Sequence, residues 1–214
     1  MNSIKSRYIL GLMRINHWGL TSQQVAELVS GCLDLGVDTI DVADIYCDYQ
    51  SESIFGAALR FDPSLKTKVR LISECGIALV KPSRPAHRVK HYNTTCDHII
   101  SSVENSLACL GVERLSMLLI HRPDPLMNAD EIANAFDKLK RSGKVEEFGV
   151  SNFLTHQFEL LQSRVDEPLK ANQFRISLLH PDSLFDGTLD QCQKLRVSPQ
   201  AWSPLGGGEL ARPN

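Results

Sequence analysis

Two short runs carry side chains able to move protons. The first is Asp41-Val42-Ala43-Asp44-Ile45-Tyr46 and the second is Leu118-Leu119-Ile120-His121-Arg122-Pro123. Each sets acid/base groups at or just past the end of an apolar stretch of strand character. In a parallel α/β protein ligands gather outside the carboxyl ends of the strands, so Asp41, Tyr46 and His121 can converge on one site. A phenol and an imidazole suit proton transfer, and a carboxylate nearby would tune both. Taken singly, each residue has a plainer use. Asp41 could cap a turn, Tyr46 could pack its ring at a rim, and His121 could be a hydrogen-bonded structural residue.

Short apolar runs alternate with amphipathic stretches along the whole chain, the pattern of repeated strand-helix units around a parallel sheet. Seven strands are predicted, near Tyr8–Met13, Thr39–Val42, Val69–Cys75, Ser116–His121, Glu147–Ser151, Ala171–Phe174 and Gln200–Ser203. Thr21 with Gln24 forms a potential capping box, and Gly36 can close the helix that follows. Gly111 and Gly143 can close the helices near Thr94–Leu110 and Ala129–Arg141. The connection from Gly76 to Asn93 stands apart. It is long, holds Pro82 and Pro85, and carries Lys81, Arg84, His87, Arg88, Lys90 and His91. Long aperiodic loops are functional or disordered, and this one follows the third strand on the expected active-site face.

At 214 residues, 43% hydrophobic and 22% charged, the chain can bury one core and is read as a single domain. A net charge of −2 argues against a broad electrostatic footprint for nucleic acid or an acidic membrane. The six cysteines show no C-x-x-C spacing and are read as reduced thiols. The segment from Met1 to Arg7 has no signal-peptide core, and no stretch approaches membrane-spanning length, so a cytoplasmic protein is expected. The scattered histidines suggest no metal site.

With Gly149-Val150-Ser151-Asn152-Phe153, Ala171-Asn172-Gln173 and Trp202-Ser203-Pro204-Leu205-Gly206 added, these runs resemble the aldo-keto reductases, in the order that family uses them. The likeness covers nearly the whole chain. It extends to a bacterial oxidoreductase branch through His121-Arg122-Pro123-Asp124-Pro125-Leu126-Met127. It implies a parallel (β/α) barrel and NADPH-dependent reduction of a small carbonyl compound. Tyr46 would give the proton, His121 would orient the carbonyl, and Asp41 would be the supporting carboxylate. It further implies cofactor contacts from Gly11, Met13, Arg14, Ser151, Asn152, Gln173, Trp202, Ser203, Leu205 and Gly206. Among these, Trp202 would be the platform for the nicotinamide ring and Leu205-Gly206 part of a loop along the pyrophosphate. Other uses stay open: Ser151-Asn152 could cap a helix, Gln173 could satisfy a strand end, Trp202 could be core, and the glycine run could be a flexible tail. Trp18 and Tyr49 could line a carbonyl pocket.

The chain departs from the resemblance in three places. Within Leu71-Ile72-Ser73-Glu74-Cys75-Gly76, Glu74 stands where the family has its catalytic Lys, and Cys47 stands where a Gly follows the Tyr. Two carboxylates ~4 Å apart at an effective dielectric of ~20 repel by about 4 kcal/mol, so one of Asp41 and Glu74 should hold a proton. Finally, only eleven residues follow Ser203, too few for an eighth strand and its helix. The expectation is therefore an incomplete barrel of about seven strand-helix units, with impaired reductase activity and weakened NADPH binding. An open sheet edge would favour self-association or marginal stability, or mark the chain as a fragment of a larger parent. The alternative is a non-catalytic interaction or regulatory scaffold derived from the same family.

Overall fold

The computed structural model describes residues 6–211, and residues 1–5 and 212–214 lie outside it, including the basic Lys5 and the last residues of the glycine-rich tail. In chain order the elements are β1 (Ile9–Gly11), α1 (Ser22–Asp34), β2 (Thr39–Asp41), α2 (Ser51–Phe61), β3 (Arg70–Cys75), β4 (Ile77–Ala78), β5 (His91–Tyr92) and α3 (Cys96–Leu110). There follow β6 (Leu115–Ile120), α4 (Ala129–Arg141), β7 (Val145–Ser151), α5 (Thr155–Gln162), β8 (Ala171–Arg175), α6 (Thr188–Leu195) and β9 (Ser198–Trp202). Seven strands form one parallel sheet in the order β1-β2-β3-β6-β7-β8-β9, curled into a half-barrel with β1 and β9 at its edges.

Local chemistry sets the element ends. Thr21 Oγ1 accepts from the Gln24 amide at 3.2 Å and Gln24 Oε1 accepts from the Thr21 amide at 2.9 Å, which closes the capping box on α1. Gly111, at φ 68°, ends α3 by donating its amide to the Leu107 carbonyl. The Gly76–Asn93 connection is organised by a small antiparallel pair, Ile77 with Tyr92 and Ala78 with His91. Two-residue strands are too short to show a period, so sequence pattern missed them.

Residue parity along the strands sorts the apolar side chains into two layers. Leu118, Ile120, Val150 and Phe174 point outward, into the large core shared with the helices. Ile72, Met117, Leu119 and Ala171 form a smaller cluster inside the curl, with Ile9 against it. Arg70 pairs with Glu147 at 3.5 Å, one step along the same parity from Ile72 and two from Leu119. Two glycines permit close approaches. A Cβ at Gly149 would meet the Ala171 carbonyl at 2.7 Å, and one at Gly56 would run into the Cys109 carbonyl of α3. Among the described residues no helix is long and apolar enough to cross a membrane, and all six cysteines are unpaired.

Candidate active site

The inward parity of the strands continues past their carboxyl ends and gathers the polar residues there. On β3, Glu74 follows the inward Ile72; His121 follows Leu119 beyond β6. Ser151 ends β7 beside Gln173 of β8, which pairs with Gln200 of β9. Asp41 ends β2 beside Gly11 and Ile72. Tyr46 comes from the turn after β2. Its hydroxyl donates to Glu74 Oε1 at 3.2 Å, and its ring meets the His121 ring edge-on with centroids 5.5 Å apart. The other Glu74 oxygen is 3.5 Å from His121 Nε2. That separation is too long for a well-formed hydrogen bond, and Glu74 Oε2, His121 Nδ1 and Asp41 Oδ1 are buried without partners.

Burial dominates the electrostatics. It pushes the Asp41 carboxyl up to about 7, with the Gln173 side chain pulling it partway back. Glu74, fully buried, is held well above the usual carboxylate range by burial and then by the Asp41 charge, while hydrogen bonds from Tyr46 and Ser151 act in the opposite sense. The Tyr46 phenol is raised by burial and by the Glu74 and Asp41 charges. Burial, with the Arg122 and Lys90 charges, pushes His121 down to about 3. Near neutrality the centre therefore holds a neutral phenol, a neutral imidazole and a carboxyl pair biased toward keeping a proton.

The proposed cofactor residues fall in two places. Asn152, at φ 63°, donates from Nδ2 to the His121 carbonyl (3.1 Å) and to Ser151 Oγ (2.9 Å) and accepts from Trp202 Nε1 at 3.0 Å. Gln173 Nε2 donates to Gln200 Oε1 at 3.4 Å, leaving Gln200 Nε2 buried without a partner. Trp202 is half-buried, with the Arg175 guanidinium 5.4 Å from its ring centroid. These form one cluster on β7, β8 and β9. The second place lies between the two sheet edges. Arg14 Nη1 reaches the Gly207 carbonyl at 3.4 Å, and Gly206, Gly207 and Gly208 all have positive φ, as does Ser203. Gly11 ends β1, Met13 lends its carbonyl to Cys47 Sγ at 3.3 Å, and Leu205 is exposed. Ser151-Asn152 does not cap α5, whose N-cap is Leu154. Among the described residues no group of three or more His, Cys, Asp or Glu is placed to hold a metal.

The model of the Aldo/keto reductase family matches residues 7–214. The chain belongs to the aldo/keto reductase family. It is 51% identical to Oxidoreductase YdhF of Escherichia coli over 96% of this chain and 68% of that protein. It is 48% identical to the uncharacterized oxidoreductase YcsN of Bacillus subtilis over 98% of this chain and 70% of that one. To a 6-dehydroglucose reductase of Agrobacterium fabrum it is 46% identical, covering 69% of that protein. Among solved structures it superposes on glycerol dehydrogenase AKR11B4 from Gluconobacter oxydans with a TM-score of 0.83 at 28% identity, covering 97% of this chain and 62% of that one.

At the centre of this aldo/keto reductase chain stands the fully buried Glu74. Several residues around that centre escaped sequence reasoning. Gln200 and Arg175 carry no motif; only inward parity on β9 and β8 would have flagged them. Asp44 and Glu52 are also buried polar residues, on the helix side of the sheet, with Glu52 Oε1 accepting from Ser73 Oγ at 2.8 Å. Three positions separate Asp44 from Asp41, which sends the two carboxyls to opposite sides of the sheet. Tyr49 turns to the Asp44 side, its hydroxyl accepting from the Leu79 amide at 2.7 Å, and Trp18 is partly exposed.

Proposed function

We propose that this chain reduces a small carbonyl compound with NADPH, Tyr46 delivering the proton and a protonated Glu74 standing behind it. The observation that carries this reading is the 3.2 Å hydrogen bond between Tyr46 and the fully buried Glu74. The donor set suits a nicotinamide: the Trp202 ring, Ser151, Asn152, Gln173 and the unsatisfied Gln200 amide would hold that end, and the Gly206–Gly208 turn with Arg14 would meet the pyrophosphate. When bound, the cofactor supplies hydride to the carbonyl carbon. These contacts address the nicotinamide and the pyrophosphate.

The protein supplies the proton. With Glu74 protonated, its hydrogen bond to Tyr46 can reverse, so that the carboxyl donates and the phenol's hydrogen is free for the substrate oxygen. As that oxygen takes the Tyr46 proton, the Glu74 proton passes to the phenolate and Glu74 is left ionised until solvent restores it. Neutral His121, beside both groups, orients the carbonyl oxygen. Alcohol oxidation would run the same relay backwards, with an ionised Glu74 drawing the proton from Tyr46, and it is disfavoured because burial keeps the proton on Glu74. No observation favours the scaffold alternative, and the two bacterial relatives near 50% identity are named oxidoreductases.

The test pairs binding with turnover. Fluorescence of Trp202 should be quenched saturably by NADPH, and the signal should vanish in Trp202→Phe, which leaves Trp18 as background. NADPH oxidation with a panel of small aldehydes and ketones should fall by about 10²–10⁴-fold in Tyr46→Phe. Folded protein that fails to quench, or that quenches but turns over no faster than Tyr46→Phe, would overturn the proposal.

A further inference from the structure

A second cavity, of about 230 Å³, lies on the other side of the sheet from the catalytic centre. It is an open cleft bounded by the turn after β2, the 76–93 connection and one face of α3, and its lining includes Asp44, Tyr49, Arg84, His98, Ser102 and Asn105. The α3 contributors recur at helical spacing, so a whole face of that helix is polar where α3 otherwise buries Ile99, Val103 and Leu107. Neither Tyr46 nor Glu74 nor His121 lines it.

Two lining groups are short of partners. Asp44, more than nine-tenths buried, holds Ser102 Oγ on Oδ2 at 2.8 Å and leaves Oδ1 buried with none. His98 Nε2 is likewise buried and unpaired. Unsatisfied buried polar atoms are costly, and a native structure resolves them with water or a ligand. Against these stand an aromatic ring and fixed donors. The Arg84 guanidinium lies 4.7 Å from the Tyr49 ring centroid, and the Asn105 amide and the Ser101 hydroxyl add groups that both donate and accept. His87 Nδ1, 3.0 Å from the Leu79 carbonyl, braces the connection over the cavity.

We propose that this cavity is a binding site for a small neutral polyol or pentose, separate from the catalytic centre. Each hydroxyl of such a ligand both donates and accepts. It can donate to Asp44 Oδ1 and His98 Nε2 while accepting from Arg84 and Asn105, and its C–H face can rest on Tyr49 and Ile77. An amine would meet Arg84 as a like charge, and an anion would meet the Asp44 carboxyl. The volume lies below the usual range of about 300–1,000 Å³ for drug-sized pockets, which sets the ligand at three to five carbons.

Ribose and glycerol are the probes, titrated into the isotopically labelled full chain and followed through backbone amide shifts, with 1-butanol as the control lacking a polyol. Ribose should move the amides of 44–49, of Arg84, Ala86 and His87, and of 98–105, saturating with a half-point of about 1 mM, where 1-butanol moves none. Asn105→Leu and Ser101→Trp both change exposed positions of α3 and should each weaken binding about tenfold. Tyr46→Phe should leave it unchanged, which separates this site from the proposed reductase centre. Shifts centred on Ser151, Gln173 and Trp202, shifts indifferent to both α3 variants, or no saturable response from folded protein would overturn the proposal, the last meaning that water alone fills the cavity.

Discussion

A buried carboxyl group between a phenol and an imidazole must either keep its proton or ionise against its surroundings, and at Glu74 every nearby group except the hydrogen-bond donors favours the first. Glu74→Lys would put a positive charge where the buried carboxyl holds its proton: the ammonium would attract Asp41 and lower the Tyr46 phenol. Alcohol oxidation, which the phenolate of such a variant could drive directly, should then rise by at least about tenfold, equivalent to about 1.4 kcal/mol, measured as NADP⁺ reduction at alkaline pH. An unchanged rate in a folded, cofactor-binding variant would show that Glu74 does not set the Tyr46 acidity. Protonation also links to stability. Asp41 and Asp44 are each raised to about 7 and Glu74 is raised as well, against unfolded values of about 4. The folded state therefore holds extra protons across that window, and stability falls as pH rises through it. His121, lowered to about 3, works in the opposite sense below its unfolded value of about 6.5 and offsets only one of the three carboxyls. At about 1.4 kcal/mol per pH unit, about two units for each of Asp41 and Asp44 less about one and a half for His121 leave about 3–4 kcal/mol, so at about 2–4 °C per kcal/mol for a chain this size Tm should drop by about 7–14 °C between pH 5 and pH 8. Glu74→Gln should flatten that slope; a Tm that climbs with pH in the native chain would contradict the assignment of protons to these carboxyls.

Among the elements, the turn after β2 carries the most evident strain. Cys47, Asp48 and Tyr49 have φ values of 53°, 57° and 69°, three successive left-handed residues, none of them glycine. Each costs roughly 1–2 kcal/mol in that region, and a glycine returns part of it as chain entropy. Asp48 recovers some of the cost through its ion pair with Lys81; Cys47 has only its 3.3 Å contact to the Met13 carbonyl. Cys47→Gly should therefore raise Tm by about 2–4 °C in a thermal melt, and a lower Tm would mean that the sulfur contact outweighs the strain. Gly56→Ala should do the reverse, costing about 1–3 kcal/mol as the new methyl pushes against α3. The elements also show what was legible in advance. The strands β3 and β6 were readable as compact apolar runs, whereas β8 and β9, Ala-Asn-Gln-Phe-Arg and Ser-Pro-Gln-Ala-Trp, are polar at the positions that face the site and show no such run. That Asp41, Tyr46 and His121 would come together was legible from their places at or just past strand ends, whereas Glu74 was picked out only through the family resemblance. The β4–β5 pair, the left-handed turn and the Asp44–Glu52 layer were not legible, because two residues carry no period, positive φ leaves no mark on a non-glycine sequence, and outward parity matters only once the neighbouring helix is placed.

For the molecule as a whole, the question is how a curled sheet with two edges behaves in water. Within the described residues β1 and β9 each pair on one side only, leaving backbone groups of the kind that recruit another strand. The edges are not equally inviting. β1 is three residues long, and Pro199 removes one donor from β9. Apolar surface lies close to the second edge: Leu178 is 87% exposed and Phe185 is 83% exposed in the segment leading from β8 to α6. Leu179 and Leu210 both approach the site of a Cβ on Gly206, which brings the glycine turn into the same region. Backbone pairing alone would be weak there, but pairing beside an apolar surface removes both kinds of exposed group from water at once. A sheet with these two edges should therefore self-associate with concentration, seen as a rising weight-average sedimentation coefficient. A Leu178→Ser, Phe185→Ser double variant should shift the association midpoint to at least about tenfold higher concentration, a loss of about 1.4 kcal/mol. Because neither residue contributes to the reductase centre, the same variant should keep its NADPH quenching. If it loses association and quenching together, the apolar segment is holding the β8–β9 end of the sheet in shape; if the native chain stays monomeric at every concentration, the two edges are protected by their shortness and by Pro199 alone.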